Sequence, residues 1–323
     1  MPILTHAEAL VEAIRECMDE DDNVALIWGS LMGVGGDNHH VQQIQTNFAD
    51  RIFHPPISEA AMAAVATGAA MDGVRTIFPM GTASFMFRAW DQIIHEAGAA
   101  HYMSNGTVSV PVVFHVVHGL RGGGSAQHSQ SPQSMLWNSP GIEIAMPSCP
   151  ADAKGLMRTA IKSNNPTVFI DHQKLNKRTG EVPVGPHDIP FGVADIKREG
   201  ADITIVGASL QVVHALAAAK DLAADGIEAE VVDIRSLVPL DEDEILKSVA
   251  KTGRLLVIDE APPHCSVASE IISMVAKKGL DLLKVPPVGL NRLPVHVPAN
   301  VALEDFIGPN VNRIVEAGKQ LCN

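Results

Sequence analysis

Short apolar runs alternate along this chain with stretches of helical periodicity. Thr5-His6-Ala7-Glu8 has the capping-box pattern, and Leu10, Ile14 and Cys17 then fall on one helical face. The apolar run at 24–28 predicts a buried strand ending at Gly29. Ser58 can cap an Ala-rich helix that runs to Ala70 and ends near Asp72-Gly73. Residues 74–78 predict a strand, 86–103 a long helix, and 111–117 a strand leading into a Gly-rich loop. Strands over 142–146 and 167–171 flank a helix at 151–163.

Near-continuous apolar strands between helices mean a parallel sheet covered on both faces. The pattern loosens from 173 to 200, where Pro183, Pro186 and Pro190 interrupt it. It then restarts with strands at 202–206, 228–233 and 254–259 and helices at 212–224, 241–250 and 267–277. A Pro-rich stretch at 286–298 precedes a last helix near 311–318. The expected fold is α/β with two doubly wound domains, over 1–185 and 201–323, joined by a linker over 186–200. No short-period repeat is present.

The length of 323 residues suits two domains of about 150 each. Apolar residues make up 46% and charged residues only 19%, which points to surface hidden against a partner subunit. A net charge of −13 argues against nucleic acid or anionic membrane as partner, since both need basic patches. No apolar stretch reaches the ~18 residues of a membrane span. Residues 1–20 predict an amphipathic acidic helix rather than a signal peptide. Cys17, Cys149, Cys265 and Cys322 are far apart, as expected of reduced thiols in the cytoplasm.

Three segments carry candidate chemistry. Arg51-Ile52-Phe53-His54-Pro55-Pro56-Ile57-Ser58-Glu59 sets a carboxylate at a helix start. Taken alone, such a Glu commonly serves the helix dipole. Residues 85–96 read as a helix whose aromatics, taken alone, would serve packing. The third segment is Arg121-Gly122-Gly123-Gly124-Ser125-Ala126-Gln127-His128-Ser129-Gln130. Its glycines let the backbone take positive φ or approach a ligand, and a His after such a loop is a functional candidate.

Together these segments resemble one family, the β subunits of pyruvate, branched-chain 2-oxo acid and acetoin dehydrogenases, which depend on thiamine diphosphate. The resemblance rests on Ile57-Ser58-Glu59, on Asp91-Gln92-Ile93 with Glu96 nearby, and on the loop closing with His128-Ser129-Gln130. Pro140-Gly141-Ile142, Ala153-Lys154-Gly155-Leu156 and Asn165-Pro166 continue it. So do the run Val232-Asp233-Ile234-Arg235-Ser236-Leu237-Val238-Pro239-Leu240-Asp241, Thr252-Gly253-Arg254-Leu255 and Glu260-Ala261-Pro262. It covers nearly the whole chain, and the joint pattern is specific where each motif alone is weak.

The resemblance implies a transketolase-like pyrimidine-binding domain followed by a transketolase C-terminal-like domain. It implies that Glu59 hydrogen-bonds N1′ of the aminopyrimidine and favours the tautomer that activates the thiazolium. It implies that Phe85 stacks on the pyrimidine, and that His128 stabilises or protonates intermediates while lipoamide is acylated. Val112, Ala160, Ile161, Ser163 and Asn165 match positions that hold a structural potassium ion in some members. The diphosphate and Mg²⁺ are held in the family by a Gly-Asp-Gly of the α subunit; this chain has none, and Gly36-Asp37-Asn38 is a poor substitute. An α partner in a heterotetramer of two α and two β chains, and a lipoyl acyltransferase core, are therefore implied.

The chain departs from the family at Gly29-Ser30-Leu31, where relatives have acidic residues after the glycine. It departs again at His115-Val116-Val117-His118, in place of Arg-Gly-Pro, and at Ala60-Ala61 after Glu59. These departures bear on the substrate, a 2-oxo acid or a hydroxyketone, more than on the cofactor. Two other classes compete. A non-catalytic assembly subunit would keep only the fold. A metal hydrolase would use His115, His118 and His128, but an offset of three on a strand puts His115 and His118 on opposite faces.

Overall fold

The structure, a computed structural model, describes residues 1–27 and 38–323. Trp28, Gly29-Ser30-Leu31 and Gly36-Asp37 lie outside the described residues. Two compact units emerge, residues 1–118 with 135–191, and residues 119–134 with 192–323.

In the first unit, β1 (Ile3–Thr5) leads into α1 (His6–Glu20). Glu8 N donates to Thr5 Oγ1 at 3.2 Å and Thr5 N donates to Glu8 Oε2 at 2.8 Å, so the expected capping box is formed. β2 (Val24–Ile27), α2 (His39–Asn47), β3 (Ile52–Phe53), α3 (Glu59–Met71) and β4 (Arg75–Thr82) follow. The single helix expected over 86–103 is a broken run: α4 (Ala83–Met86), a π-helical stretch (Asp91–Ala97) and α5 (Gly98–Met103). Then come β5 (Val112–His118), β6 (Glu143–Ala145), α8 (Pro150–Lys162), β7 (Thr167–His172) and β8 (Thr179–Glu181); between β5 and β6 run the short helices α6 (Ser125–His128), which belongs to the second unit, and α7 (Gln133–Trp137).

Strands β6-β7-β5-β4-β2-β3 hydrogen-bond in that order, all parallel, with Ile77 opposite Val113 and Val113 opposite Thr167. Every residue of β5 is buried, because helices cover both faces; that is why its sequence shows no clean alternation. The helix α1 packs on α8 through Leu10, Ile14, Cys17, Leu156 and Ile161. Burying each such aliphatic side chain contributes about 1.5–3 kcal/mol. Gly141, in the Pro140-Gly141-Ile142 segment, has φ +84°, and a Cβ there would collide with the Gly98 carbonyl oxygen. Only glycine satisfies both demands.

The second unit contains β9 (Asp195–Arg198), β10 (Ile203–Gly207), α9 (Leu210–Ala224), β11 (Ala229–Asp233), β12 (Ser236–Val238), α10 (Glu242–Thr252), β13 (Leu255–Asp259), α11 (Val267–Lys278), β14 (Val288–Asn291), α12 (Val301–Ile307) and α13 (Val311–Cys322). Its sheet order is β14-β13-β10-β11-β9, parallel except for the antiparallel edge strand β9. Asp241 caps α10 by accepting from Glu244 N, and Gly253 ends that helix at φ 77°.

The boundary differs from the expected linker over 186–200. Residues up to 191 belong to the first unit and those from 192 to the second. The Pro-rich stretch is bolted down rather than loose. Arg158 Nε donates to Asp188 at 2.8 Å, Lys154 Nζ donates to the Pro183 carbonyl at 3.1 Å, and Ile189 packs in the first core. The crossover at 119–134, expected within the first domain, packs with the second unit.

Candidate active site

Glu59 is the first residue of α3, and Ser58 before it has the extended backbone of an N-cap, without a side-chain cap bond. Only 15% of the Glu59 side chain is exposed, and its Oε2 lies 3.3 Å from Arg88 Nε. Arg88 follows α4, which carries the half-buried Phe85, so the Phe85 segment lies beside the helix start that presents Glu59. No motif or spacing in the sequence marks Arg88. An open groove of about 470 Å³ lies alongside, lined by Phe87, Arg88, Trp90, Asp91, Ile94 and His95. A carboxylate mostly withdrawn from water and an aromatic on the adjoining segment are the groups here that could meet the edge and the face of a flat heteroaromatic ring.

His128 ends α6 and is half-buried; it lies in the second unit, whereas Glu59 and Phe85 lie in the first. His115 and His118 turn to different partners. His115 Nε2 lies 3.7 Å from Asp171 Oδ2, while the His118 ring stands edge-on to His172 with centroids 5.0 Å apart. They do not converge with each other as metal ligands would.

Asp171 instead joins a buried cluster that sequence reasoning missed, because its members come from 6, 115 and 171. His6 Nε2 lies 2.8 Å from Asp171 Oδ1, and all three side chains are fully buried. Burial opposes charge on Asp171. The neighbouring imidazoles of His6 and His115 outweigh it and hold the carboxyl well below the usual range.

Two of the five residues expected at a potassium site, Ile161 and Ser163, already present their carbonyls to another cation. Arg75 Nη1 donates to the carbonyls of Ile161, Lys162 and Ser163, at 3.2, 3.1 and 2.8 Å. Ser163 Oγ and Asn165 Nδ2 donate to Glu143 at 2.7 and 3.0 Å, and Val112 and Ala160 are buried. Carbonyls already matched to a guanidinium do not fit a free cradle for a monovalent ion, and no part of the chemistry is assigned to potassium.

Residues 4–178 match the transketolase pyrimidine-binding domain and residues 192–314 the transketolase C-terminal domain. The chain belongs to the transketolase-like β-subunit family of 2-oxo acid and acetoin dehydrogenases. It is 38% identical to the acetoin:2,6-dichlorophenolindophenol oxidoreductase subunit beta of Cupriavidus necator over 331 residues, covering 97% of this chain and 95% of that one. The 2-oxoisovalerate dehydrogenase subunit beta of Bacillus subtilis is 37% identical, with 99% of each chain covered. The pyruvate dehydrogenase E1 component subunit beta of Rhizobium meliloti is 36% identical over 100% of this chain and 70% of its own. A solved structure described as a split-gene transketolase, an inactive β4 tetramer, superposes with a TM-score of 0.81 at 21% identity over 99% of this chain and 98% of its own, which shows the shared fold. Among the described residues no helix is long and apolar enough to cross a membrane.

Proposed function

We propose that this chain is the β component of a thiamine-diphosphate-dependent enzyme that decarboxylates a 2-oxo acid and passes the acyl group to lipoamide. It would work in the cytoplasm within a heterotetramer of two α and two β subunits. The observation that carries this is Glu59, a nearly buried carboxylate at a helix start, tied through Arg88 to the segment of Phe85. In this reading Glu59 accepts and returns a proton at N1′ of the aminopyrimidine, while Phe85 holds the ring by stacking. When bound, thiamine diphosphate supplies the nucleophilic carbon and electron sink for breaking the bond next to a ketone. His128 holds or delivers a proton to the reacting oxygen.

The α subunit supplies the diphosphate and Mg²⁺ site, since this chain has no Gly-Asp-Gly. A lipoyl acyltransferase takes the acyl group. The cytoplasmic assignment is supported by four free cysteines. Burial pushes the Cys17 thiol up to about 12, far from a reactive thiolate.

A hydroxyketone substrate is the second reading, favoured by the 38% identity to the acetoin enzyme's β subunit. Co-expression with an α subunit bearing Gly-Asp-Gly, followed by a panel of 2-oxo acids and acetoin with a dye acceptor, tests both. Dye reduction by one member, requiring both subunits and the cofactor, is expected. An assembled pair inert towards the whole panel would overturn the proposal.

A further inference from the structure

The Gly-rich loop before His128 is held by two buried carboxylates of the second unit. Glu304, on α12 and 1% exposed, accepts from both Gly122 N, at 2.6 Å, and Gly123 N, at 2.8 Å, one amide to each carboxylate oxygen. Both glycines have positive φ, +84° and +98°, which is what turns their consecutive amides toward one anion. A Cβ on Gly123 would lie 3.3 Å from the Ala299 carbonyl oxygen, so the loop rests against the approach to α12.

Glu260, 2% exposed, accepts from Leu120 N and, at 3.0 Å, from Gln211 Nε2. The Leu120 side chain packs with Val297 and Ile307, the last residue of α12. Gly119 N donates to the Gln130 carbonyl at 3.1 Å and closes the loop at its base. His128 therefore sits inside a closed loop whose leading arm is fastened at Leu120, Gly122 and Gly123.

We propose that Glu304 is a positioning residue: by gripping the Gly122 and Gly123 amides it fixes the loop that presents His128. The inference rests on His128 acting in the proposed reaction. An amide-to-carboxylate bond is roughly twice as strong as a neutral one. A carboxylate can accept both amides at once. A carboxamide can accept only one and must turn N–H toward the other, so Glu304→Gln leaves donor facing donor. Glu304→Asp keeps the charge with a shorter reach and should restore part of the effect.

Two measurements test this. Hydrogen exchange on the chain by itself follows the peptide spanning 119–130 and needs no substrate. E304Q should exchange faster there while distant helices keep their protection. Unchanged exchange in that peptide would overturn the clamp, whatever reaction the enzyme performs.

The second is a double-mutant cycle in the α/β enzyme, using E304Q, H128A and the pair. E304Q should lower kcat by roughly tenfold or more, with KM held within about twofold, and E304D should recover part of the loss. In the H128A background E304Q should change kcat by less than about twofold, because the two act as a unit. Independent, multiplying effects would overturn the positioning role. H128A turning over like the wild type would overturn the role of His128 itself, and with it this inference, while leaving the exchange result standing. If E304Q proves insoluble, E304D serves in both arms, with smaller shifts in the same directions.

Discussion

Arg88 Nε stands 3.3 Å from Glu59 Oε2, with the Arg88 side chain 73% exposed and that of Glu59 15% exposed. The guanidinium thus reaches from solvent to the carboxylate that, in the proposed reaction, must face N1′ of the aminopyrimidine. The two demands compete for one carboxyl group. An ion pair with one partner so exposed contributes little to stability, at most about 1 kcal/mol. Arg88→Met should therefore lower melting temperature only slightly. It should tighten cofactor binding to the α/β pair by severalfold, within about a factor of 10. Calorimetric titration of the variant pair checks this, and weaker binding in R88M would show that Arg88 helps to hold the cofactor.

The chain by itself should bind thiamine diphosphate weakly or not at all, because the proposed division of the site leaves the diphosphate to the α subunit and this chain has no Gly-Asp-Gly. Calorimetry on the isolated chain with Mg²⁺ decides. Micromolar or tighter binding would contradict a site divided between two subunits.

Arg158 is fully buried between α1 and α8 and reaches Glu16 at 2.9 Å, Glu20 at 2.8 Å and Asp188 at 2.8 Å. The equally buried Lys154 shares Glu16 at 2.8 Å. Removing Arg158 leaves Glu16 to Lys154, and the partly exposed Glu20 and Asp188 to Lys162. Arg158→Met, which also loses a buried guanidinium, should cost about 1–3 kcal/mol. Denaturant midpoints should show it, and proteolysis within 183–189 should rise, since Asp188 loses its inner partner. A loss below about 1 kcal/mol would mean that the network relaxes into water.

Asp171 gives a pH dependence of fixed sign. Its carboxyl is held well below the ordinary value by His6 and His115 against the cost of burial. A depressed carboxylate contributes stability that is fully present above its unfolded pKa and is lost as the pH falls toward the folded one. The stability difference between wild type and Asp171→Asn should be largest above about pH 5. It should shrink as the pH drops below about 3.9, the unperturbed aspartate value. Urea midpoints of both proteins from pH 3 to pH 8 check this. A difference that grew toward acid would contradict an ionised Asp171.

Patterns that repeat along the chain were legible in the sequence. The Thr5/Glu8 capping box, the buried run of β5 and the strand–helix alternation of both units each come from local spacing. What escaped notice is made of residues far apart in sequence. His6, His115 and Asp171 meet because the start of α1 comes to rest at the carboxyl end of β7. Glu304 meets Gly122 and Gly123 across a separation of more than 180 positions, and no periodicity marks that pairing. The pattern loosens over 173–200, and a linker is expected over 186–200, because the prolines there break periodicity. The order of residues 183–189 comes from Lys154 and Arg158, whose pattern signals only a helix face. Of the candidate site, Glu59 and Phe85 came from the family resemblance, whereas Arg88 has no local signature.

In the proposed reaction Glu59 exchanges a proton with the cofactor. Glu59→Gln keeps the size and one hydrogen bond but removes that exchange. The deciding measurement is steady-state turnover of the reconstituted α/β enzyme carrying E59Q, taken beside its thermal unfolding. A proton-exchanging Glu59 predicts a loss in kcat of about 10²–10⁴-fold, with the melting temperature nearly unchanged. A Glu serving only the dipole of α3 would be worth about 0.3–1 kcal/mol. Near-wild-type turnover with a small drop in melting temperature would contradict the catalytic role of Glu59.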